Sequence, residues 1–136
     1  MVVAAIIGTL AALAFPSYMA LRTRARVSEV VSELKQIEKQ ILGFLSEKGR
    51  LPDTLEEFGL GGVKDAWGNR YDYWPITEDK SQKVRKDRSL HPINTDFDLF
   101  SRGPDGRTNY PLTAEVSLDD IIRANNGAYF GPADGY

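Results

Sequence analysis

From Met1 to Leu21 the chain carries no charged residue, and only Gly8, Thr9, Pro16 and Ser17 interrupt the apolar run. Wound as a helix at about 1.5 Å per residue, the run reaches about 30 Å, the hydrocarbon thickness of a bilayer. Arg22, Arg24 and Arg26 follow at once, and the pattern then changes instead of stopping. Val27, Val30, Val31, Leu34, Ile37, Ile41, Phe44 and Leu45 recur at spacings of three and four, which is one apolar stripe along a helix. Gly49 and Pro52 close the stretch, so the spacing predicts a single helix from Met1 to about Lys48. Apolar all round at first and striped afterwards, such a helix needs two environments. Lipid or other helices suit an arm over residues 1–25, and a globular domain over residues 26–136 suits the rest. A helix-interior glycine costs about 1 kcal/mol and a proline removes a backbone bond, so the stretch between Gly8 and Pro16 is the expected weak point.

A cleaved secretory signal would carry its positive charges before the apolar core and a small-residue cleavage site after it; this run has neither. A permanent membrane anchor explains the length of the run. An arm that packs in a bundle explains its unbroken passage into the striped half.

Beyond the helix the elements shorten. Asp53 to Gly59 reads as a short helix with a small polar N-cap, early acids and a terminal glycine. Asp65-Ala66-Trp67-Gly68-Asn69 is a turn into an aromatic-rich strand, Arg70 to Ile76, which Pro75 confines to an edge or to its own end. A second strand, Asp96 to Ser101, sends Phe97 and Leu99 one way and Asp98 and Phe100 the other, and closes on the turn Gly103-Pro104-Asp105-Gly106. Between the strands, Glu78 to Ser89 holds eight charges in twelve residues and reads as a solvated excursion or hairpin tip. The fold class is therefore α+β: a long N-terminal helix against a small antiparallel sheet, followed by a long C-terminal loop.

Composition narrows the chemistry. The 136 residues suffice for one domain, which excludes a multi-domain enzyme. Seventeen Lys and Arg against nineteen Asp and Glu leave no basic field for nucleic acid, and the acids interleaved among Lys80, Lys83, Arg85, Lys86 and Arg88 make that stretch a plain surface loop. The absence of cysteine excludes disulfides, thiolate metal sites and a thiol nucleophile. His91 is the only histidine, Ser101 has no base arranged with it, and no phosphate- or dinucleotide-binding glycine pattern occurs. Tyr71, Tyr73, Trp74, Phe97 and Phe100 read as sheet core. An enzyme is not expected.

From Asn94 to Tyr136 seven acids face three arginines. A long loop without a disulfide has to be ordered by something, and calcium takes oxygens from carboxylates and carbonyls in flexible geometry. Asp105 at its glycine-flanked turn and the Asp119-Asp120 pair are candidate ligands. No EF-hand spacing is present, and Asp119 and Asp120 read equally as first-turn acids of a helix over Ser117 to Ala124.

The run Met1-Val2-Val3-Ala4-Ala5-Ile6-Ile7-Gly8-Thr9-Leu10-Ala11-Ala12-Leu13-Ala14-Phe15-Pro16-Ser17-Tyr18 closely resembles the N-terminal signature of type IV pilins and of the pseudopilins of type II secretion systems. The Asp65 to Asn69 turn and Phe97-Asp98-Leu99-Phe100-Ser101-Arg102-Gly103-Pro104-Asp105-Gly106 look like the corresponding turns of the major pseudopilin, protein G of type II secretion. The departures are the charged stretch from Glu78 to Ser89 and a longer C-terminal tail. The family's cleavage glycine and docking glutamate fall before Met1, so the chain is expected to begin at an internal methionine or within the mature subunit. The resemblance implies a subunit that waits in the bacterial inner membrane with its domain in the periplasm. It implies processing by a prepilin peptidase, with methylation of the new N-terminus. An assembly platform then draws the subunit into a helical homopolymer with minor pseudopilins. It also implies calcium in the C-terminal loop, held by Asp105, by Asp119 or Asp120, and by a backbone carbonyl near Arg102. The alternatives are the major pilin of an extracellular type IV pilus and a monomeric membrane-anchored binding module.

Overall fold

A computed structural model describes residues 2–77 and 83–136. Helix α1, Val2–Lys48, is unbroken, and Pro16 lies inside it. The helix continues through Gly8 and Pro16, where the composition marked a weak point. Its end is the expected one: Gly49 sits at φ 71°, a left-handed conformation glycine adopts without a Cβ penalty, and its N–H donates to the Leu45 carbonyl at 2.8 Å. Of α1, Val30, Leu34, Ile37 and Ile41 are buried, all on the predicted stripe. The arm from Val2 to Ala25 is exposed throughout.

The short helix after Pro52 is a 3₁₀ turn, Leu55–Phe58, closed by Gly59. Four strands follow: β1 (Asp72–Pro75), β2 (Phe97–Ser101), β3 (Ile121–Ala124) and β4 (Tyr129–Pro132). They form one antiparallel sheet in the order β1-β2-β3-β4. Pro75 sits at the end of the edge strand β1, opposite Phe97, where its missing N–H interrupts no inner ladder.

The helix stripe packs on one sheet face with Leu55, Tyr71, Phe97, Leu99 and Ile121. Ile93, Phe100, Leu112, Ile122, Ala124 and Ala133 form a second cluster on the opposite face. Because both faces are covered, all five residues of β2 and all four of β3 are buried. Arg123 of β3 ties the helix to the sheet. It is 1% exposed, donates through Nε to Glu38 Oε1 at 2.7 Å and through Nη2 to Asp96 Oδ2 at 2.7 Å, and lies 3.9 Å from the Phe97 ring centre.

Two expectations are corrected. The helix over Ser117 to Ala124 does not form: Glu115–Ser117 is a 3₁₀ turn and Ile121–Ala124 is β3. Adjacent β-branched Ile121 and Ile122 satisfy opposite sheet faces, as the strand alternation allows and a helix, turning about 100° per residue, does not. The charged stretch is not a wholly solvated excursion. Residues 78–82 lie outside the described residues, but Val84 and Arg85 are 2% exposed.

Truncating the buried stripe tests this account. Leu34, fully buried, is expected to cost about 2–5 kcal/mol as Leu34→Ala. Leu10→Ala, at a position 62% exposed, should leave the urea midpoint of the domain unchanged when both are followed by circular dichroism in detergent.

Candidate functional site

Two features of the chain await a partner: the exposed arm and the C-terminal loop with its aspartates. The arm presents Val2, Val3, Ile6, Ile7, Leu10, Leu13 and Phe15 at exposures of 52–74%. Among the described residues α1 is the one helix long and apolar enough to cross a membrane. Where the arm enters the domain, a groove of about 290 Å3 is lined by apolar residues that include Val27, Trp67, Leu118 and Ile121, with Asp119 and Asp134 also in its lining.

The two turns that carry the resemblance form one bonded unit. Asp65 Oδ1 accepts the Trp67 and Asn69 N–H groups at 2.9 Å each, and its Oδ2 accepts the Ser101 hydroxyl at 2.5 Å. Asn69 Nδ2 donates to the Gly103 carbonyl at 2.9 Å. Gly103 is at φ 63°, and a Cβ there would lie 2.2 Å from the Asp119 carbonyl oxygen, so the turn requires glycine both for its conformation and for its contact with the loop before β3.

This packing separates the sequence candidates. Asp105 and Asp119 come together: the Asp105 N–H donates to Asp119 Oδ2 at 3.2 Å, while Asp105 Oδ1 accepts the Arg107 N–H at 2.7 Å. Arg102 sends its guanidinium to Asp72 on the edge strand, with Nε to Oδ2 at 2.6 Å and Nη2 to Oδ1 at 2.8 Å. Asp120 turns inward and is fully buried. Its Oδ2 accepts Arg85 Nη2 at 2.5 Å and the Thr108 hydroxyl at 2.7 Å. Arg85 Nη1 donates to Thr108 Oγ1 at 2.5 Å and to the Asn109 carbonyl at 2.6 Å, and the guanidinium lies 4.3 Å from the Phe100 ring centre.

These contacts decide how far the residues fit calcium. Among the described residues no group of three or more His, Asp or Glu is placed to hold a metal ion. Asp105 and Asp119 each accept a backbone N–H, and Asp120 is already neutralised by a guanidinium. The expected set therefore divides: Asp120 is taken by Arg85, while Asp105 and Asp119 stand together on adjoining turns as a pair.

Thr108 and Asn109 escaped the sequence reading, Arg85 entered it only within a surface loop, and the one local hint lay on β2. Asp98 stands within an apolar strand on a face shared with Phe100, and a buried acid there demands donors. It finds them in the Arg85 N–H at 2.7 Å and Asn94 Nδ2 at 2.9 Å. Burial still raises its pKa above the usual aspartate value.

No family model matches the chain, and no solved structure matches it. Over 73 residues it is 40% identical to the type IV major pilin protein PilA of Myxococcus xanthus (strain DK1622), which covers 54% of this chain and 32% of that protein. The chain thus spans about a third of the length of this curated relative. The matched part of the chain is thus similar to a type IV major pilin.

Burial pushes the Asp120 carboxyl up to about 6, against the opposing pull of Arg85 and Thr108. An unfolded aspartate titrates at about 3.9, so between these values the folded chain holds a proton that the unfolded chain has released. Stability from this group is fully present below about pH 4 and is lost as pH rises through about 6. Across this window Asp120→Asn is expected to remove a downward slope in melting temperature that the wild type shows.

Proposed function

We propose that the chain is a structural subunit of a helical pilus-like filament, held in the inner membrane by its arm before assembly. The observation that carries this reading is a single helix, buried along Val30, Leu34, Ile37 and Ile41 yet uncovered from Val2 to Ala25. In a filament core the arm exchanges lipid contacts for helix contacts, so extraction from the membrane need not expose it to water. The match to a type IV major pilin supports self-assembly of this kind.

Within that reading we favour the major pseudopilin of a type II secretion system. Its supports are the bonded Asp65–Asn69 and Ser101–Gly106 turns and a C-terminal loop closed without cysteine. The filament would then stand in the periplasm, its partners being the assembly platform, the prepilin peptidase and minor pseudopilins. The match to PilA favours the second reading, the major pilin of a surface pilus. Calcium is left aside in both, because Asp120 is taken by Arg85 and Asp105 and Asp119 remain as a pair.

Cryo-electron microscopy of material sheared from expressing cells tests the proposal. Ordered fibres with the arm at their core support it; monomers confined to the membrane fraction would point to an anchored binding module. Leu10→Glu or Leu13→Glu is expected to abolish fibres while the circular dichroism of the domain is retained.

A further inference from the structure

The resemblance assigns the ordering of the C-terminal loop to a divalent cation, and the structure places a different cation there. We infer that the Arg85 guanidinium is the loop's internal counter-ion, so that the loop orders without calcium. This inference rests on the fold and stands independently of the filament reading.

Consider what Arg85 touches: a carboxylate oxygen of Asp120, the Thr108 hydroxyl and the Asn109 carbonyl. A carboxylate, a hydroxyl and a carbonyl are the hard oxygen donors that calcium collects. Here they converge on a planar cation whose five N–H donors match oxygen acceptors in fixed directions. The site is dry, with the Arg85 and Asp120 side chains 2% and 0% exposed, and Phe100 covers the guanidinium face. The pair is monodentate, and Asp120 Oδ1 and Arg85 Nε have no hydrogen-bond partner among the described residues. A divalent ion at that oxygen would share one carboxylate with a guanidinium already 2.5 Å away, and like-charge repulsion in a low-dielectric interior opposes it.

The backbone around Arg85 carries the same link. Lys86 N–H donates to the Tyr110 carbonyl at 3.2 Å, and Leu112 N–H donates to the Lys86 carbonyl at 2.9 Å. Ile93 N–H donates to the Arg85 carbonyl at 3.0 Å, and Arg85 N–H donates to Asp98. The segment is thus zipped between the C-terminal loop and β2. It belongs to the charged stretch in which the sequence departs from the pseudopilin pattern, so the departure itself supplies the cation.

The test uses the full chain in detergent, with calcium chloride and with a calcium chelator as the two conditions. Wild type is expected to melt at the same temperature in both and to show no calcium binding by titration calorimetry. A lower melting temperature in chelator, or stoichiometric binding of calcium, would overturn the inference. Hydrogen exchange reads the loop directly. Arg85→Ala should speed exchange at the Lys86 and Leu112 amides in both conditions while the Leu34 to Ile41 amides keep their protection. Unchanged exchange at the loop would reject the role of Arg85. If Arg85→Ala fails to fold, Arg85→Lys provides the same comparison: it keeps the charge and loses the fork, and it should give a smaller increase at the same amides.

Discussion

Everything in this fold follows from one helix that must satisfy two surroundings. The second half of α1 supplies four of the nine buried residues of the core on one sheet face, and the first half supplies nothing to it. A soluble domain could bury the arm only by folding back on it, and the unbroken path through Gly8 and Pro16 excludes a hairpin. Intrinsic helical preference is too weak to hold so long an element in water, so most of its stability has to come from packing along its length. The domain provides that packing from about Val27 onward. The arm's packing has to come from lipid or from other arms.

Fixing the helix on one face of a small sheet leaves the other face to be covered by chain without regular structure. Two buried arginines tie down the two faces in parallel, each lying on an aromatic ring of β2. Arg123 lies on Phe97 and reaches the helix through Glu38; Arg85 lies on Phe100 and reaches the loop through Asp120. Burying a guanidinium is costly unless its donors are met, and removing one partner of such a pair costs about 3–5 kcal/mol. The strand alternation that puts Phe97 and Phe100 on opposite faces therefore also decides where each arginine can sit.

Much of this was legible in the sequence where periodicity is strong. The 3.6-residue stripe located the buried helix positions, Gly49 located the helix end, and the alternation in Phe97-Asp98-Leu99-Phe100 assigned its side chains to the right faces. The hairpin of β3 and β4 went unread, although Asn125 and Asn126 at φ 53° and 54° and Gly127 at φ 90° are the residues that tolerate left-handed backbone at a tight connection. Ile121 and Ile122 gave no period, because a strand buried on both faces has none. Arg85 was invisible for a different reason. In a run of alternating charges nothing local distinguishes the one cation whose counter-ion lies 35 residues away. The candidate aspartates divided along the same line. Asp105 and Asp119 meet across adjoining turns, while Asp120, next in the chain to Asp119, faces the interior because β3 begins there.

A long loop in a small domain can be closed by a disulfide, by a metal or by a buried ion pair, and the three differ in what they ask of the surroundings. A disulfide asks for an oxidising compartment. A metal asks for free ion above its dissociation constant, because its stabilisation follows mass action. A guanidinium carried in the same chain asks for neither, since its local concentration is set by the fold. Its cost is paid inside the protein, in the desolvation that pushes Asp120 upward and leaves Asp98 and Asp120 dependent on well-placed donors. A chain without cysteine, whose buried Asp120 is paired to its own arginine, fits the third route. The order of its C-terminal loop is then tied to the order of the 84–87 segment and not to the composition of the medium.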